Sequence, residues 1–125
     1  MGVQESFPVL NKESRTQMIQ IENCQDSTTV VRLSGDLDLV SSFHLRHVVC
    51  DILEPGLNLV IDLRHVRTMD AVGVSALLGC IRRVRASGGK TQVRNAQPRV
   101  RWLFQILGVD QLTEPLDVMQ RPGVA

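Results

Sequence analysis

At 125 residues, with 43% hydrophobic and 22% charged residues, the chain has room for one compact domain and enough apolar material for one core. Aromatic residues are 3% with no Tyr, which argues against a stacking platform for single-stranded nucleic acid, and the apolar runs are far shorter than a membrane span. The formal net charge of +1 hides a lopsided layout: residues 64–101 carry nine basic groups against the single Asp70, while 1–63 and the tail from 102 are net acidic.

The chain begins MGVQESFPVLNKESR, with no basic segment leading into an apolar core, so no secretory signal is read and a cytoplasmic location is expected. Residues 1–16 are polar and aperiodic, and are expected to form a loose lead-in to a domain spanning 17–118, with 119–125 as a tail. Met18–Glu22 alternates apolar and polar residues as a half-buried strand does, and Thr28–Leu33, closing at Gly35, is close enough to pair with it as a hairpin. Leu45, Val48, Val49, Ile52 and Leu53 then recur at helical spacing, with Ser41 or Ser42 as the cap and Pro55-Gly56 as the stop.

Asn58–Leu63 is short and nearly all apolar, the pattern of a central parallel strand. A short loop is expected to follow, then a helix from Asp70–Val72 with Val74, Leu77, Leu78, Ile81 and Val84 on one side, ended by Gly88-Gly89. Lys90–Arg94 reads as a polar edge strand. Pro98 opens a third helix with Val100, Leu103, Phe104 and Leu107 as its stripe, ending at Gly108, and a last strand is expected near Gln111–Leu116. Strands alternating with helices imply parallel pairing and a small α/β sandwich.

Catalytic templates fail on single residues. Gly73-Val74-Ser75-Ala76-Leu77 lacks the second glycine of a nucleophile elbow, so Ser75 reads as an ordinary first-turn residue. Gly88-Gly89-Lys90 lacks both the upstream glycine and the following Ser/Thr of a phosphate loop. His44 and His47, near Asp51, are too few for a metal site, and His65 is expected in a loop between Arg64 and Arg67. Neither a metal nor a cofactor is expected. Cys24, Cys50 and Cys80 are odd in number and widely spaced, which argues against a disulfide framework; they read as small buried hydrophobes, with Cys80 the candidate for redox sensing.

Two segments stand out. Gly35-Asp36-Leu37-Asp38 lies where a strand gives way to a helix, and its aspartates suit turn and capping positions. Thr68-Met69-Asp70-Ala71-Val72-Gly73 brings a helix N-terminus to the C-terminal end of the sheet, with Asp70 as cap and Met69 expected to be exposed. Together they predict a docking surface.

At these segments the chain resembles the STAS family of anti-sigma factor antagonists. The resemblance rests on VVRLSGDLD (30–38), NLVIDLRHVRTMDAVGV (58–74), ASGGK (86–90) and PRVRWLFQILGVDQL (98–112). It implies a four- to five-stranded mixed sheet with three or four helices packed mainly on one face, and a binding protein rather than an enzyme. The partner it implies is an anti-sigma factor of the GHKL kinase type, whose capture frees a sigma factor; no direct nucleic-acid contact, no membrane insertion, and a monomer or weak dimer are expected. In the family a serine follows the loop Asp and is phosphorylated, adding charge and bulk that block docking. Ala71 stands at that position here, so phosphorylation control there is absent. The contact surface implied is Asp36, Asp38, Ser41 and Ser42 on one side and Met69, Asp70, Ala71, Val72 and Gly73 on the other. Asp38 matches the family's acidic residue near the phosphorylation site, so its role reduces to capping or contact. The alternative is a STAS scaffold or accessory subunit of a signalling complex or transporter.

Overall fold

The computed structural model describes residues 4–10, 16–24 and 26–109, with side chains described from residue 19 onward. In chain order the elements are β1 (Gln4–Leu10), β2 (Thr16–Asn23), β3 (Thr28–Leu37), α1 (Leu39–Ile52), β4 (Asn58–Met69), α2 (Ala71–Ala86), β5 (Thr91–Arg94) and α3 (Pro98–Ile106). They form one five-stranded sheet in the order β1-β2-β3-β4-β5. The β1–β2 and β2–β3 pairs are antiparallel, while β3–β4 and β4–β5 are parallel. The mixed sheet matches the expected architecture, with β5 at an edge.

One face of the sheet carries the core. Ile19, Ile21, Val31, Leu33, Leu59, Ile61, Leu63 and Val93 alternate onto it and meet the apolar stripes of all three helices. Leu45, Val49, Leu77, Ile81, Val84 and Val100 are each at or below 1% exposure, so the helical periodicity read from the sequence is the packing periodicity. The opposite face mixes polar residues with the buried pair Val30 and Val60. Its register row runs Gln20–Arg32–Asp62–Arg94, and Arg32 bonds Glu22 at 2.6 Å and reaches Asp62 at 3.7 Å.

The structure corrects several expectations. Residues 4–10 of the presumed loose lead-in form β1, an edge strand whose Pro8 breaks the alternation that would have announced it; an edge tolerates the missing N–H. Strands β3 and β4 both outrun their sequence signals. The β3–β4 register shifts between Arg32 and Ser34 and again between Gly35 and Asp36, each time with one extra residue on β4. Gly35, at φ +92°, sits at the second shift. These bulges scramble the period-two pattern beyond Leu63, so the expected loop Arg64–Met69 is strand and His65 is an exposed strand residue.

Leu107, expected in the α3 stripe, is the helix C-cap and 42% exposed: α3 ends at Ile106, so Leu107 lies past the last turn that packs on the core. Cys24 and Cys50 are exposed rather than buried; only Cys80 is a core residue. The strand expected near Gln111–Leu116 lies outside the described residues.

Candidate functional site

Parallel pairing of β3 and β4 brings Leu37 opposite Met69 at the C-terminal end of the sheet. Each strand is followed by one aspartate and then a helix. Asp38 caps α1, and Asp70 caps α2. Both caps have extended backbone, which frees their carboxylates to turn back on the helix N-terminus. Gly73 N donates to Asp70 Oδ1 at 2.8 Å, and Asp70 N donates to the Leu37 carbonyl at 3.4 Å, tying the start of α2 to the end of β3.

At α1 the cap is Asp38 and not Ser41 or Ser42. Ser41 N donates to Asp38 Oδ1 at 3.1 Å, and Asp38 N donates to Ser41 Oγ at 2.9 Å, a reciprocal capping box. Aspartate takes the cap because it stands at the last extended residue before the turn; the serines already lie inside the helix. Both are buried, at 3% and 2% exposure, so neither is a surface contact. Ser42 Oγ has no hydrogen-bond partner among the described residues.

The sequence-derived set is thus divided. Asp70, Ala71 and Val72 are exposed at the tip of α2, and Asp36 and Asp38 are half-buried beside them. Met69 is buried at 7% exposure, because the second β4 bulge restores its register with Leu37 and turns it onto the core face. Gly73 is also buried, under the Leu37 carbonyl. In their place the α1 side offers residues that the sequence reading passed over: Leu39, Val40 and Phe43 are 66%, 45% and 63% exposed. Their signal was legible, since they fall outside the 45-48-49-52 stripe at the start of the helix. Val72, 40% exposed, stands at the neighbouring tip of α2, so apolar side chains are open to solvent at the start of both helices.

Beside the tips lies an open notch of about 220 Å³ lined by Asp36, Arg67, Thr68 and Arg99. Thr68 Oγ1 donates to Asp36 Oδ1 at 2.9 Å and Arg67 Nη2 to Asp36 Oδ2 at 3.4 Å. Gln97 Nε2 donates to the Arg64 carbonyl at 2.7 Å, which holds the start of α3 against β4 and sets Arg99 in place.

Elsewhere, the described residues include no group of three or more His, Cys, Asp or Glu side chains that could hold a metal ion. His44 and His47 are exposed, and the His47 ring meets Phe43 edge-on at 5.4 Å. Redox sensing by Cys80 requires exposure and a lowered pKa. It has neither: burial, reinforced by the neighbouring Cys50, pushes its thiol up to about 11, against the opposing pull of Arg46 and Arg83. No helix among the described residues is long and apolar enough to cross a membrane.

A mixed sheet with helices on one face, ending in two helix tips set side by side, defines a small α/β sandwich. The chain belongs to the STAS domain family, whose family model matches residues 17–118. It is 30% identical to the anti-sigma-B factor antagonist of Bacillus subtilis (strain 168) over 84 residues, 67% of this chain and 77% of that protein. The anti-sigma factor antagonist SpoIIAA in its unphosphorylated form is similar at 27% identity with a TM-score of 0.67, covering 82% of this chain and 96% of that one. The phosphorylated form of the Bacillus protein superposes with a TM-score of 0.61 at 25% identity, over 81% of this chain and 98% of that one. The murine anion transporter Slc26a9 shares the fold alone: TM-score 0.61 at 19% identity, over 68% of this chain and 14% of that one.

Proposed function

We propose that this chain is an anti-sigma factor antagonist that docks the tips of α1 and α2 on an anti-sigma factor of the GHKL kinase type and thereby releases a sigma factor. The reading is carried by one observation: the caps Asp38 and Asp70 set two helix N-termini side by side, with Leu39, Val40, Phe43 and Val72 exposed across them. The contact set proposed is these four residues with Asp36, Asp38, Asp70 and Ala71. No reaction is assigned to the chain itself.

Ala71 is the first residue of α2 and is exposed. A hydroxyl there would be open to a kinase, and a phosphate would put nearly two negative charges beside Asp70. Ala71 carries none, so control by phosphorylation at this position is lost while the surface for docking is kept. Occupancy is then set by the relative amounts of the partners.

The test is direct binding of the purified full chain to each anti-sigma factor encoded in the same genome, followed by incubation with ATP. One-to-one binding to an anti-sigma factor, without phosphate transfer to residues 68–75, is expected. Binding to none of them would remove the reading in favour of a scaffold or accessory role, which the likeness to Slc26a9 supports at the level of fold alone.

A further inference from the structure

The basic segment 64–101 sends two of its groups to opposite ends of β4. Lys90 lies at the start of β4, where its backbone N–H donates to Asn58 Oδ1 at 2.9 Å, and Arg82, Arg83 and Arg85 sit in the closing turns of α2 at that same end. Arg67 and Arg99 instead flank the notch at the other end of β4. The nine residue steps of β4 from Asn58 to Arg67 separate the two groups, roughly 30 Å at the usual rise per residue. That is several screening lengths at physiological salt, so the two groups act independently of each other.

Near the helix tips the acidic groups are already engaged. Asp38 and Asp70 accept from their own helix backbones, and Asp36 accepts from Thr68 and Arg67. Arg99 is exposed and takes no ion-pair partner among the described residues. The cation left open on this side is therefore the Arg99 guanidinium, while Asp70 keeps an exposed carboxylate at the α2 tip.

We infer that the Arg67–Arg99 notch is the receiver for a carboxylate of the docking partner, an Asp or Glu set beside the apolar surface that meets Leu39, Val40, Phe43 and Val72. Arg99 offers the planar donor fork that a carboxylate accepts bidentately, and Arg67 can contribute its remaining donors while it holds Asp36. The partner class is thus a protein surface with an apolar centre and an acidic flank on the β4–α3 side. Such an arrangement steers encounter and fixes orientation more than it adds affinity. The inference rests on the docking role proposed above.

The experiment measures association rate and affinity of the full chain with the anti-sigma factor it binds, at low and high salt. Four chains are compared: wild type, Arg99→Glu, Arg67→Glu/Arg99→Glu, and the charge-matched control Arg82→Glu/Lys90→Glu. Arg99→Glu alone is included because Arg67 also pairs with Asp36, so that a folding defect in the double variant does not decide the matter. Association of both notch variants should slow roughly tenfold or more at low salt, with a flattened salt dependence, while the control stays within about twofold of wild type. Equal slowing in control and notch variants, or no slowing in Arg99→Glu, overturns the carboxylate receiver and leaves the docking role standing. Absence of binding by the wild-type chain to every such partner overturns both.

Discussion

Gly73 passes so close beneath Leu37 that a methyl group on it would run into the Leu37 carbonyl oxygen and stand 2.9 Å from Met69 Cγ. This contact sets the spacing between the end of β3 and the first turn of α2, and so the spacing of the two helix tips. Gly79, in the middle of the same helix, has open space where a Cβ would go. The two glycines therefore respond oppositely to one substitution. Gly79→Ala should stabilise by about 0.5–1 kcal/mol through helix propensity. Gly73→Ala should cost about 1–3 kcal/mol, because the backbone oxygen cannot move aside without shifting the strand. Urea unfolding of both variants checks this, and a gain in Gly73→Ala would show that the approach is not tight.

The caps are predicted to be worth their usual amount and no more. Asp38→Ala and Asp70→Ala should each lower stability by about 1 kcal/mol, with Asn in place of Asp recovering most of it. Ser41→Ala removes the reciprocal half of the α1 box and should cost less than Asp38→Ala. Ser42→Ala deletes a buried hydroxyl without a partner, so stability should hold or rise. A marked loss there would reveal a hydrogen bond absent from this arrangement.

Cys80 gives a pH signature. Its thiol titrates at about 11 in the folded chain, above its unfolded value, so the folded state holds that proton more tightly. Stability is fully present below the unfolded pKa and declines as pH rises from there through about 11. The decline is bounded at about 2–3 kcal/mol for a shift of two units. Thermal unfolding between pH 8 and 11 should show the decline in wild type and lose most of it in Cys80→Ala; an equal slope in both would contradict the assignment.

Restoring a hydroxyl at position 71 should restore the switch. Ala71→Ser places a serine on the exposed first turn of α2, where an anti-sigma kinase with ATP should phosphorylate it, and Ala71→Glu should weaken docking without a kinase. Intact mass and binding measurements on the two variants report this. A serine that stays unmodified while its chain binds as wild type would mean that the partner's active site does not reach the helix tip.

Much of this could be read from the chain because packing and local signals agreed. Val74, Leu77, Ile81 and Val84 lie on one helical stripe and all face the core. Pro98 and Gly108 punctuate α3 where their backbone chemistry is needed. Legibility failed where geometry depends on a neighbouring strand. The β4 bulges are a property of the β3–β4 pair, so nothing in Arg64–Met69 alone reveals that Met69 turns inward. Ser41 and Asp38 are both good cap residues, and only the end point of β3 decides between them. Leu39, Val40 and Phe43 fall outside the 45-48-49-52 stripe, so their exposure follows from the helical period alone.

Docking through the helix tips is tested most directly by titrating the anti-sigma factor proposed as partner with Val72→Asp and Phe43→Asp chains, reading affinity by calorimetry and folding by thermal unfolding. Both positions are exposed, so stability should stay within about 0.5 kcal/mol of wild type. Affinity should fall roughly 30-fold or more, as for truncation of a contact centre worth about 2 kcal/mol. Full affinity in both variants would contradict docking through the helix tips.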